Sequence, residues 1–81
     1  MRIDKFLKVV HITKRRAIAE DMCKNGVVSI NEIVVKASKD VKINDIISIK
    51  FNTHIDKYKV LEIPTSKNIP KNTQSQFVEK L

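Results

Sequence analysis

Hydrophobic positions in the first ten residues recur at helical spacing. The apolar residues stand at i, i+3, i+4 and i+7, which is one face of a helix: Ile3, Phe6, Leu7 and Val10. Polar residues fill the other positions, and Asp4 falls in the first turn, where a carboxylate favours the positive end of the helix dipole. The pattern stops at His11 and Ile12. It predicts a first helix that buries one side.

A second helix is predicted over residues 14–24. Thr13 precedes it and suits the N-cap position, because a hydroxyl can accept a hydrogen bond from an amide of the first turn. Asn25 and Gly26 follow it, and glycine readily adopts the left-handed conformation that ends many helices. The apolar stripe that this helix turns inward is predicted to hold Ile18, Ala19, Met22 and Cys23.

From residue 27 onward the pattern changes to that of β-strands. Short β-branched or alternating runs occupy residues 27–30, 33–35, 41–43, 47–51 and 55–63, separated by polar turns such as 31–32, 44–45 and 52–53. The sequence therefore predicts an α+β fold in which two N-terminal helices pack on a small, mostly antiparallel sheet.

Pro64 marks the end of the regular pattern, and few apolar residues follow it. They are Ile69, Phe77, Val78 and Leu81. We predict a domain over residues 1–63 and a C-terminal tail over 64–81, formed by a loop and a marginal helical turn and mobile when the chain is free.

Positive charge is concentrated at the N-terminus. The 81 residues carry a formal net charge of +7, and six of the first sixteen are basic, against the single acid Asp4. Lys14, Arg15 and Arg16 stand where the predicted second helix begins, and cations there oppose the helix dipole. A phosphate-binding surface explains this placement, because amides and guanidinium groups then converge on one anion. The pattern indicates binding to structured RNA, with Arg2 and Arg16 acting at the surface and not in the fold.

Two other interpretations of the basic face stay open. It can be a solvated surface that maintains solubility, or a module that meets an acidic protein or an anionic surface. The interaction module predicts tolerance of lysine in place of arginine and little preference for RNA. RNA binding predicts sensitivity to this exchange, because lysine loses the bidentate contact with phosphate.

Other chemistry finds little support in the sequence. A chain of this length offers no room for a catalytic domain with a deep pocket, so we expect no enzyme and no cofactor. His11 and His54 have no ligand cluster beside them, so no metal site is expected. Cys23 is predicted to be a buried apolar residue, and Phe6, Phe51 and Tyr58 are predicted to lie in the core. The single cysteine and the absence of an apolar leader or span indicate a cytoplasmic protein.

Several short motifs together resemble the S4-type RNA-binding domain, which is named for the fourth small-subunit ribosomal protein. The resemblance runs from Arg2 to about Phe51. It rests on Arg2-Ile3-Asp4-Lys5-Phe6-Leu7, Thr13-Lys14-Arg15-Arg16, Ala19, Asn25-Gly26-Val27-Val28, Ile30-Asn31, Lys36, Val41 and Asp45. It implies an αL-like arrangement in which two helices and a short sheet present a basic surface to structured RNA. Two departures stand out, because Glu32 and Asn44 occupy positions where the family usually has glycine.

The same resemblance assigns the RNA-contacting positions. They are Arg2, Lys5, His11, Thr13, Lys14, Arg15, Arg16, Glu20 and Lys24, with Asn31 and Lys36 near the edge. The chain is most similar to the free-standing bacterial group that includes the fifteen-kilodalton heat-shock protein and the RqcP proteins. That group implies a monomeric, non-enzymatic factor that binds rRNA of the large ribosomal subunit and peptidyl-tRNA, and that assists nascent-chain tailing in ribosome-associated quality control.

Overall fold

Two short helices open the fold, which a computed structural model describes for residues 1–81. Helix α1 spans Ile3–Val9 and helix α2 spans Arg16–Lys24, and the two pack against each other. The predicted face of α1 is confirmed, because the four residues that define it are completely buried: Ile3, Phe6, Leu7 and Val10.

Helix α2 begins later than the sequence predicts, and Thr13 is not its N-cap. The amides of Ile12 and Thr13 both donate to the carbonyl of Leu7, so this segment closes the end of α1. The Thr13 hydroxyl donates to the carbonyl of Arg15 at 3.2 Å, and Arg15 itself holds the N-cap position in extended conformation. The first turn of α2 therefore lacks a side-chain cap.

The inward face of α2 is narrower than predicted. Ala19 and Cys23 are buried as expected, but Ile18 is 45% exposed and Met22 is only partly buried. The predicted helix end is confirmed, since Asn25 is the C-cap and Gly26 has a φ of +73°.

Five strands form one antiparallel sheet. They are β1 (Val28–Ile30), β2 (Ile33–Val34), β3 (Ile46–Lys50), β4 (Ile55–Val60) and β5 (Val78–Lys80), in the spatial order β2-β1-β3-β4-β5. Residues 41–43 form no strand, although Val41 is buried in the hydrophobic core. The fourth strand ends at residue 60, three residues before its predicted end.

Two turns use left-handed residues other than glycine. Asn31 and Glu32 have φ values of 51° and 70° in the two-residue connection between β1 and β2, and Asn44 has a φ of 76°. Positive φ at both central positions is the geometry of a type I′ hairpin turn. Glycine at position 32, as in the common Asn-Gly turn, would adopt this conformation with less strain than Glu32.

Strand β3 follows the predicted alternation only up to its end. Ile47 and Ile49 are buried, but Phe51 lies beyond the last paired residue, is 44% exposed, and stacks on His54 with 4.9 Å between ring centroids. The prediction that Phe51 belongs to the core is wrong, because the chain has already left the sheet at this position.

The C-terminal segment is structured, which corrects the prediction of a mobile tail. Residues Lys71–Gln76 form a 3₁₀ helix, and β5 pairs with β4 in the register Val60↔Val78. The carbonyl of Phe77 accepts the Leu61 amide at 2.7 Å, and Val78 is 4% exposed within the core. The local sequence does not predict β5, because this strand forms only by pairing with β4, which is distant in the chain.

Candidate nucleic-acid interface

A buried carboxylate holds two of the predicted RNA-binding arginines together. Asp4 is completely buried, and its Oδ2 accepts hydrogen bonds from Arg2 Nη2 at 3.2 Å and from Arg16 Nε at 3.1 Å. Its other oxygen accepts the amide of Lys5 at 2.8 Å. One carboxylate therefore joins both helices and brings two guanidinium groups to a single point on the surface.

The segment from residue 37 to 41 positions this cluster. The first amides of α1 lack partners within the helix, and here they donate outward, Ile3 to Lys39 and Asp4 to Ala37. Arg2 also forms a β-bridge with Asp40. The start of α1 is thus fixed by backbone contacts, which hold Asp4 beneath the surface with its carboxylate toward α2.

Each arginine retains free donors for an anion. Both arginine side chains are about half exposed, at 46% of their area. Arg16 uses only Nε and Arg2 uses only one Nη within the protein. The remaining donors have no partner within the protein and can form charge-assisted bonds to phosphate oxygens. The expectation that these arginines have no role in the fold is wrong, since both neutralise a buried charge.

His11, Thr13 and Lys14 come together in a small polar cleft beyond the end of α1. His11 has a φ of 64°, and its Nε2 lies 2.7 Å from the carbonyl oxygen of Ile69. Thr13 is 8% exposed and Lys14 is exposed. Lys8 and Lys71 complete the lining of this cleft. The cleft lies outside the Arg2–Asp4–Arg16 cluster.

A second group of predicted residues lines a cleft of about 510 Å³ between α2 and the β2 edge. This group consists of Glu20, Lys24 and Lys36. Glu20 brings negative charge to this wall, so the cleft offers RNA a mixed surface and not a wholly basic one. Lys5 is partly exposed and Arg15 is exposed.

Asn31 has a structural contact that the sequence did not predict. Its Oδ1 accepts the Ile46 amide at 3.0 Å, and its Nδ2 donates to Asp45 at 3.2 Å. Both ends of the side chain therefore tie the β1–β2 turn to the start of β3. This leaves Asn31 with limited capacity to contact RNA.

Cys23 is a structural residue. It is 5% exposed, and burial, followed by the nearby charge of Asp4, raises the pKa of its thiol above the ordinary value of 9.0. A thiol that resists ionisation is a poor nucleophile and a poor metal ligand.

No group of three or more histidine, cysteine or acidic side chains in the chain has the arrangement of a metal site. No helix combines the length and apolar character that crossing a bilayer requires.

Sequence reasoning missed two lysines. Lys8 follows Lys5 by three residues on the polar side of α1, so its helical position was a usable signal. Lys71 stands 57 or more residues from the other basic residues of the cleft, and nothing in the local sequence connects them. Only the fold brings the two together.

Comparison with known proteins assigns the class. The family model of the S4 domain matches residues 1–47, which contain both helices, the Arg2–Asp4–Arg16 cluster and the first two strands. The fold agrees, because the heat-shock protein 15 of Vibrio cholerae superposes with a TM-score of 0.89 over 100% of this chain and 81% of that chain, at 23% sequence identity.

More specific relatives cover nearly the whole chain. The RQC P-site tRNA stabilizing factor of Helicobacter pylori (strain J99) is 45% identical over 78 residues, which are 96% of this chain and 93% of that protein. The solution structure of hypothetical protein HP1423 has a TM-score of 0.86 and 43% identity, covering 100% of this chain and 96% of the other. The chain belongs to the S4 domain family, in the group whose members are named RQC P-site tRNA stabilizing factor.

Proposed function

We propose that this protein is a non-enzymatic RNA-binding factor that works on the large ribosomal subunit in ribosome-associated quality control. It contacts rRNA and the peptidyl-tRNA at the P site, and in doing so assists nascent-chain tailing in the cytoplasm. The names of its relatives support the tRNA and the pathway. The observation that carries the proposal for this chain is the pair of guanidinium groups gathered on one buried carboxylate.

Such a surface can bind RNA without a catalytic group. Asp4 fixes one nitrogen of each arginine, so the side chains lose less conformational freedom when phosphate arrives. The two positive charges exceed the single negative charge, and the cluster keeps a net attraction for a polyanion. Its free donors are preorganised for a bend or groove in which two phosphates lie close together.

Association with ribosomal particles tests the proposal. Tagged protein is sedimented through a sucrose gradient with bacterial ribosomes, and RNA crosslinked to it in the large-subunit fraction is sequenced. We expect crosslinks to large-subunit rRNA and to tRNA. Cosedimentation with the small subunit alone, or crosslinks without tRNA, would refute the assignment.

Substitution of one arginine separates RNA recognition from general basicity. Arg16→Lys retains the charge beside Asp4 but loses the planar fork, so we expect a marked fall in large-subunit affinity. Lys57→Gln, on an exposed position of β4, serves as the control and should change affinity little. An Arg16→Lys variant that binds as well as the wild type would favour a general interaction surface for an acidic or anionic partner.

A further inference from the structure

The polar cleft at the end of α1 joins the helical region to the C-terminal segment. Its volume is about 270 Å³, and no hydrophobic residue lines it. Three of its five lining residues are lysines, Lys8, Lys14 and Lys71, and the other two are His11 and Thr13. No acidic side chain takes part in the lining.

The three lysines of this cleft have no anionic partner in the protein. Every salt bridge of the chain involves other cations, namely the N-terminus, Arg2, Arg16, His54 and Lys80. Like charges gathered in one concave place repel each other, and a concave wall concentrates their field. A bound anion would relieve this repulsion. Neither folding nor solubility requires three lysines to gather at this place.

The position of Lys71 is fixed by contacts on both sides of it. Before it, the carbonyl of Ile69 lies 2.7 Å from His11 Nε2, and after it, Gln74 Nε2 donates to the carbonyl of Val10 at 2.7 Å. Pro70 is the N-cap of the 3₁₀ helix that Lys71 begins. These contacts attach the C-terminal segment to the end of α1, and they place Lys71 at the cleft.

We infer that this cleft binds a backbone phosphate of the RNA, with Lys8, Lys14 and Lys71 as its cationic ligands. The inference rests on the proposed function and adds a second phosphate site to the Arg2–Asp4–Arg16 cluster. It also gives the C-terminal segment a part in RNA binding, which the family match over residues 1–47 does not include. RNA is favoured over a free anion because the cleft is open to solvent and is continuous with the basic helical surface, to which Lys8 and Lys14 belong.

Charge substitution on one segment tests the inference. Lys71→Gln removes a cleft lysine, and Lys67→Gln removes an exposed lysine of the same segment that does not line the cleft. Binding to purified large ribosomal subunits is measured over a range of salt concentrations. The plot of log K against log salt has a negative slope, and one lost phosphate contact makes this slope less steep by about 0.7–0.9, which is about a four- to fivefold loss of affinity near physiological salt.

We expect a less steep salt dependence for Lys71→Gln and an unchanged salt dependence for Lys67→Gln. Lys71→Arg should recover the salt dependence and the affinity of the wild type. Circular dichroism confirms that each variant is folded. Equal slopes for the two glutamine variants would overturn the cleft while leaving the proposed function intact. Failure of the wild type to bind large subunits would overturn the proposed function, and the cleft site with it.

Nuclear magnetic resonance distinguishes the source of the phosphate. Amide signals of Thr13 and Lys14 are followed while either inorganic phosphate or a structured rRNA fragment is added. We expect RNA to shift these signals at concentrations at which inorganic phosphate does not, and the Lys71→Gln variant to shift less. Shifts with inorganic phosphate alone would mean that the cleft serves a free anion and would refute the inference.

Discussion

Replacing Asp4 by alanine should weaken both the fold and the proposed RNA-binding surface. Asp4 is completely buried and accepts three hydrogen bonds, from Arg2, Arg16 and the Lys5 amide. Breaking a buried ion pair costs about 3–5 kcal/mol. Both arginine side chains are half exposed, so their charges regain water when the carboxylate is removed, and we expect a smaller loss, about 2–3 kcal/mol.

This loss is measured by urea and thermal unfolding, followed by circular dichroism. In a domain of this size 1 kcal/mol corresponds to about 4–8 °C, so the melting temperature should fall by roughly 10–20 °C. Asp4→Asn is the matched variant, because it retains the shape and one acceptor but not the charge. It should lower large-subunit affinity even where the protein is fully folded, since the arginines are no longer held together. An Asp4→Ala change within about 0.5 kcal/mol of wild type, the range of ordinary surface substitutions, would refute the reasoning.

Three further predictions concern other parts of the chain. Ending the chain at Pro64 removes β5 and the buried Val78, so we expect a loss of at least about 2 kcal/mol in urea melts, from the valine alone; an unchanged melt would support the boundary at residue 63 that the sequence predicts. Glu32→Gly relieves a left-handed φ and should raise the free energy of unfolding by about 0.5–1 kcal/mol, whereas Glu32→Ala should not. Because the pKa of the Cys23 thiol is raised above 9.0, the unfolded chain loses this proton first, and stability should fall as the pH rises past 9.0. Urea melts at about pH 8 and about pH 10 should show a smaller fall in Cys23→Ala, and equal falls would contradict the assignment.

Local periodicity predicted the parts of the fold that depend on near neighbours. The buried face of α1, the left-handed Gly26 after α2 and the alternation of Ile47 and Ile49 all follow from spacing within a few residues. Thr13 was misassigned because capping competes with another use of the same segment, the closure of α1 by its amide. Tertiary contacts decide which of the two roles Thr13 takes, so a short stretch of sequence does not predict it.

The candidate site shows the same division. The density of positive charge indicated the basic surface, and the resemblance of the chain to the S4-type domain indicated which of its residues to expect as RNA contacts. The role of Asp4 as the partner of two arginines was not predictable from dipole arguments, because Arg16 lies twelve residues away. Strand β5 and Lys71 were missed for a related reason, since their neighbours are distant in the chain and the tail has few apolar residues to indicate a strand.

The order of strands in the sheet has a kinetic consequence. β1 with β2, and β3 with β4, are joined by short turns, while β5 pairs with β4 across the long segment from residue 61 to 77. Short loops close at lower entropic cost, so the two hairpins should order first and the β4–β5 ladder last, within a folding time on the order of milliseconds. Val78→Ala should therefore accelerate unfolding and leave the folding rate nearly unchanged, and slower folding in stopped-flow experiments would contradict this order. The wall of the cleft that carries Lys71 is then the last part of the molecule to form and the first to open.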